Sequence, residues 1–268
     1  MVITQENMLL SRKETAVAYW QHHLTGAQRT ANANFVNTTE SGETASSATQ
    51  ENRVLVSHVG RALNSELLAL VQRESTSWEV LLTAAWALLL SKYSGEDEVL
   101  FGKRFAAGED GDACALPLRL TLDGGRTLHQ WFRDIAAVFE QHRQHAGLLP
   151  DALSQGVSGF SNQPLFESLL SVRDDQHPEP ENLDESVPLH LVAHTGDNLL
   201  LALHYRAGDI SDADAHNILE RLQQLLVSVG QGADRTVGAQ SLLNSAEVER
   251  VVHEWNATQL DVALDRSL

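Results

Sequence analysis

One cysteine in 268 residues, Cys114, rules out an internal disulfide and leads us to expect a reducing, cytoplasmic setting. Without a positioned histidine beside it, that thiol reads as a buried spectator and not as a nucleophile. Basic residues are scarce: 19 Lys and Arg face 36 Asp and Glu, a formal charge of −17 with a pI near 5.0. This balance excludes nucleic acid and anionic membrane as main partners, since both require a basic face. Long apolar runs are missing too. The longest, VLLTAAWALLL at 80–90, is too short to cross a bilayer as a helix, and Met8-Leu9-Leu10 is too short for a signal-peptide core. No Walker loop, G-x-G-x-x-G, G-x-S-x-G or H-E-x-x-H occurs.

The residues that are present suit a folded chain, 43% hydrophobic and 21% charged. Residues 12–25 predict a helix with Ala16, Tyr19, Trp20 and His23 on its apolar stripe, and His22 roughly 100° away around the axis. The segment 30–52 is Ser/Thr/Asn/Glu-rich and predicts a flexible linker. A strand follows at 53–60, then a helix capped by Asn64, then the apolar helix 77–92. Strands are expected at 97–105, 116–122 and 166–174, with a helix opened by Thr127 between the second and third. VPLHLVAHT-GD-NLLLALHYR predicts a hairpin on a two-residue Gly196-Asp197 turn. The helix after it starts at Ser211 and carries Ile218, Leu219, Leu222, Leu225, Leu226 and Val229 on one face. Alternation of strands and helices, interrupted by a hairpin, gives an α/β class with a mixed sheet.

Candidate chemistry is thin. His142 and His145 have metal-compatible spacing but no evident third ligand, so a helix-end role favourable to the dipole is preferred. His190 and His194 share a hairpin face, and the Gly-Asp turn would put His204 on the opposite one. We expect no metal and no cofactor.

Several phrases nevertheless occur in one family's order. YWQHHLTGA (19–27), LLTAAWALLLSKYSGEDEVLFGKRFAAG, LPLRL (116–120), SNQPLFESLLSV, LALHYRAGDI and LLNSAEVERVVHEWNAT together resemble the C-terminal lobe of nonribosomal peptide synthetase condensation domains. The resemblance implies a chloramphenicol-acetyltransferase-like single lobe, a mixed sheet packed with helices. The family's His-His-x-x-x-Asp-Gly motif belongs to the other lobe. Read from His22, this chain has Ala27 and Gln28 in place of the Asp and Gly, so neither His22 nor His23 is expected to be catalytic. Asp112-Ala113-Cys114-Ala115 stands where the resemblance implies tunnel-lining Phe-Val-Asn-Thr, and the loop FAAGEDGDA is short and acidic, with Glu109, Asp110 and Asp112.

The expected organisation is a lead-in helix (1–29), the linker (30–52), the lobe (53–242) and a linker toward an adenylation domain (243–268). Leu242, Leu243, Val248, Val251, Val252 and Trp255 are candidates for contact with that domain. Leu148, Leu149 and Leu153 mark a candidate partner face, for a carrier protein or a second copy of the chain. Any phosphopantetheine would belong to the carrier. The expected function is a truncated, non-catalytic platform. Half of an active condensing enzyme, or a module recruiting a carrier or tailoring enzyme, are the alternatives.

Overall fold

Helix α3 (Trp78–Ser94) buries every residue from 80 to 90, so it has no polar face to show to water. Its ends are well specified. The Ser77 hydroxyl accepts the Val80 N–H, and Gly95 takes a left-handed φ of 75° at the C-cap, where a side chain would be strained. The structure is a computed structural model that describes residues 14–28, 30, 51–105, 114–145, 165–174, 187–196 and 198–242. Within these, α1 spans residues 14–24, β1 Asn52–His58, α2 Arg61–Arg73, β2 Glu98–Phe105 and β3 Cys114–Thr121. Then follow α4 (Leu128–His145), β4 (Ser168–Arg173), β5 (Leu189–His194), β6 (Leu200–Arg206) and α5 (Asp212–Gly230).

The six strands form one mixed sheet in the order β1-β6-β5-β4-β2-β3. β4 runs parallel to β2 and β5, and the other pairs are antiparallel. Alternate residues, among them Phe101, Leu118, Leu170, Leu191 and Leu203, join the helices in one core cluster. Thr127 and Gln130 cap α4 reciprocally, and Ser211 caps α5 by accepting the Asp214 N–H at 3.1 Å. All six apolar positions expected on the α5 face are buried.

Two local expectations fail for identifiable reasons. Asn64 is not an N-cap: α2 begins at Arg61 behind Gly60, and the buried Asn64 side chain accepts the Leu199 N–H at 3.2 Å. Nor does Gly196-Asp197 make a two-residue turn, because His194 pairs with Leu200, which leaves 195–199 as the connection. This register differs by one residue from that of the two-residue turn and inverts the faces of β6. His204 therefore lies opposite His190, on the same face and not the opposite one.

Lys103 is the one charged side chain with no exposure among the largest buried groups. Its Nζ donates to Glu79 at 2.8 Å and to the Arg104 carbonyl, and sits 4.9 Å from the Phe105 ring centre. Arg143 also pairs with Glu79, at 3.0 Å. Burial pulls the Lys103 ammonium below the ordinary lysine range, while Glu79 acts to hold the proton.

Gly102 lies beneath Phe166: a Cβ added there would fall 2.3 Å from the ring. Gly102→Ala should therefore cost about 1–3 kcal/mol, with much of that loss absent in a Phe166→Ala background. A urea double-mutant cycle checks this, and purely additive losses would disprove the contact.

Candidate functional site

The adjacent histidines lie on α1, where helical geometry separates them. His22 is exposed, while His23 turns inward beside Tyr19 with ring centres 5.8 Å apart. Ala16 and Trp20 fill the buried side of the same helix, as the apolar stripe predicts, and Leu24, outside that predicted stripe, joins them. α1 packs against the outer edge of β3, a strand that pairs only with β2.

An edge strand leaves backbone groups unpaired, and here side chains satisfy them. The His142 Nε2–H donates to the Pro117 carbonyl at 3.0 Å, the Arg119 N–H donates to His23 Nε2 at 3.3 Å, and Trp131 Nε1–H donates to the Thr121 carbonyl at 3.2 Å. Pro117 suits an edge because it has no N–H to leave unpaired. The Arg119 guanidinium returns across the junction to the His23 and Thr25 carbonyls, each at 3.1 Å, and to Glu98 at 2.9 Å. It caps the C-terminal end of α1, where cations are favoured.

Burial sets the protonation of this cluster. His23 is pushed down to about 3, chiefly by desolvation, with His142 and Arg119 adding repulsion. His142 falls to about 4 for the same leading reason. Both rings are therefore neutral at pH 7. With Nε2–H committed to Pro117, His142 Nδ1 accepts the Tyr19 hydroxyl at 2.7 Å. The expectation that His142 sits as a favourable cation at a helix end is thus corrected: it is a buried neutral ring. His145 contributes its carbonyl to Trp20 Nε1–H at 3.0 Å.

Outside this junction opens a groove of about 520 Å³, lined among others by His22, His23, Arg119, Asp123, Trp131 and Asp134. Its arginines are paired, Arg119 with Glu98 and Arg126 with Asp134. Its lining includes no cysteine or serine to act as a nucleophile.

A second polar cluster, which the sequence reading missed, lies on the other face of the sheet. Ser171 Oγ and His190 Nε2 share a hydrogen bond of 2.8 Å, and the His190 and His204 rings are 5.9 Å apart. His190 is lowered to about 3 by burial first, then by Arg104, His204 and Arg173. Only the correct hairpin register could have revealed the His190–His204 pairing. Among the described residues, no group of three or more His, Cys, Asp or Glu could hold a metal ion. No helix among them is long and apolar enough to cross a membrane.

Of the expected docking residues, Leu242 packs against the core and its carbonyl accepts from Arg221 at 3.1 Å. Leu243, Val248, Val251, Val252, Trp255, Leu148, Leu149 and Leu153 lie outside the described residues, as do 31–50, Glu109, Asp110, Asp112 and Ala113. Thr30, at the head of the expected linker, is buried and its hydroxyl accepts the Leu100 N–H at 2.9 Å.

No protein-family model matches the chain. A linear gramicidin synthase of Brevibacillus parabrevis is 26% identical over 222 residues, covering 73% of this chain. The chain spans only about 3% of that relative's length. Among solved structures, the condensation domain of the monacolin K polyketide synthase MokA matches with a TM-score of 0.68 at 13% identity, covering 88% of this chain and 61% of that one. The X-domain from teicoplanin biosynthesis, solved in complex with OxyB, matches at 0.67 and 19% identity, covering 87% and 56%. The mixed six-stranded sheet with its helices is the chloramphenicol-acetyltransferase-like fold of these domains. The chain is a condensation-domain-like lobe related in sequence to the nonribosomal peptide synthetases.

Proposed function

We propose that this lobe is non-catalytic and serves as a structural platform for an adjacent adenylation domain of a peptide synthetase. The observation that carries the reading is the engagement of the only adjacent His-His pair in the sequence. His23 holds the β3 edge as a neutral acceptor, and the residues after it, through Ala27 and Gln28, lack the Asp-Gly of the condensation motif. A general base needs a free lone pair and a proton affinity near the working pH. The His23 ring offers neither, with its Nε2 occupied and its proton affinity depressed to about 3.

Support for the platform role comes from the chain's C-terminal side. Leu242 is anchored on the core, and Leu243, Val248, Val251, Val252 and Trp255 beyond it are too apolar for a free linker. With the lobe joined to its downstream adenylation domain, Trp255→Ala should weaken their association by about 1–3 kcal/mol, read as a lower melting temperature of the pair. An unchanged melting curve and unchanged interdomain proteolysis would refute the attachment. A recruiting role is the second reading, favoured by the likeness to an X-domain solved with OxyB. Retention of a tailoring enzyme by the isolated lobe would support it.

A further inference from the structure

The two edges of the sheet are treated differently. β3 is sealed by His23, His142 and Trp131, whereas no strand among the described residues pairs with the outer edge of β1. β1, NRVLVSH, contains no proline, lysine or acid, the usual devices that protect an edge. The Val59 N–H bonds the Leu199 carbonyl and the Ala207 N–H bonds the Glu51 carbonyl, so odd-numbered β1 residues turn their backbones toward β6. Asn52, Val54, Val56 and His58 therefore present their N–H and C=O groups outward.

Exposed apolar side chains lie along the same strand. Four large ones are exposed among the described residues: Val54 (53%), Val56 (46%), Leu68 (41%) and Val227 (39%). Val54 and Val56 belong to β1. Val227 lies one helical turn beyond Gln223, whose amide donates to Ser57 of β1 at 2.6 Å.

We infer that β1 is a homodimer edge, pairing antiparallel with β1 of a second copy about a two-fold axis at Leu55. Its pattern fits itself. In that register Leu55 meets Leu55 of the other copy, Val54 meets Val56, Arg53 meets Ser57 and Asn52 meets His58. The outward groups at 52, 54, 56 and 58 then exchange hydrogen bonds with one another, and the four valines form one cross-strand patch. Charge favours the same occupant. In a chain of formal charge −17 this strand holds no acid, and its single arginine is balanced by Asp212 at 2.8 Å and Glu51 at 3.0 Å. Two copies thus meet along a strand that itself carries no acidic side chain, and the contact is isologous and closed. The inference does not depend on the synthetase reading.

The full chain should sediment at twice its 29.4 kDa at high concentration and dissociate on dilution. Val56→Pro removes an outward N–H and one valine of the patch while sparing the bonds to β6, and should weaken the dimer at least about tenfold. Val54→Lys, which spares the backbone, should do the same if Val56→Pro fails to fold. In a Cys114→Ser background, Leu55→Cys should oxidise to a covalent dimer, because position 55 alone faces its own copy, with Cα atoms about 4.5 Å apart. Ser57→Cys should not. A monomer at every concentration would overturn the inference. So would a dimer indifferent to both variants and uncrosslinked through position 55, which would place the contact on another face.

Discussion

Lowering the pH from 7.5 to 4.5 should strip the lobe of most of its stability. His23, His142 and His190 are held at about 3, 4 and 3 by burial, against an ordinary value of 6.5 that each regains on unfolding. Between pH 6.5 and about 4 the unfolded chain therefore binds protons that the folded chain refuses, and stability falls as pH falls. Each such proton changes stability by up to about 1.4 kcal/mol per pH unit, so three give a slope near 4 kcal/mol per unit. Over the two units from pH 6.5 to 4.5 that slope removes up to about 8 kcal/mol, against a typical stability of about 5–15 kcal/mol. Above pH 6.5 the contribution is fully present. Urea unfolding at several pH values measures the slope directly. His142→Gln, which can still donate to Pro117, should flatten it by about one proton. Stability unchanged between pH 7.5 and 4.5 would contradict the burial of neutral rings.

Glu79→Gln should be the most damaging single substitution among the charged residues. It leaves the Lys103 ammonium, which has no exposure, without its counter-charge, held only by neutral acceptors (the Gln amide oxygen and the Arg104 carbonyl) and aromatic rings. Removing one partner of a buried pair costs about 3–5 kcal/mol, or a fall of roughly 6–20 °C in melting temperature for a domain of this size. The reciprocal change should be mild. Lys103→Met removes the buried charge itself, while Glu79, partly exposed, keeps Arg143 at 3.0 Å. We expect a cost below about 1.5 kcal/mol, because a well-packed apolar group replaces an ion whose desolvation was expensive. Calorimetry on both variants decides it. Equal losses would mean that the pair stabilises the fold by mutual attraction and not by avoiding an orphaned charge.

How much of this was legible in the sequence follows from the range of each interaction. α3 could be read because eleven apolar residues in a row allow nothing but burial, and α5 because its stripe and Ser211 cap are local. The fold class followed from the order of such elements. Parity was not legible: one extra residue in the β5–β6 connection moved His204 beside His190, and hydrophobic pattern alone did not register it. Asn64 looked like a cap because capping is a local preference, whereas its partner, Leu199, is 135 positions away. The sealed β3 edge was likewise hidden, since His23 is 96 positions from Arg119 and His142 is 25 from Pro117. What the sequence did show at the candidate site was a mismatch: a His-His pair on a helix followed by the wrong residues. The structure supplies the physical counterpart, a pair split between solvent and a backbone bond.

The most direct test of the non-catalytic reading is a condensation assay on the full chain, with a loaded donor carrier and a loaded acceptor carrier. We expect peptide product no faster than from the two carriers alone, and no change on His22→Ala or His23→Ala. Peptide formation above that background that disappears in either variant would contradict it, because it would give the α1 histidines a catalytic role.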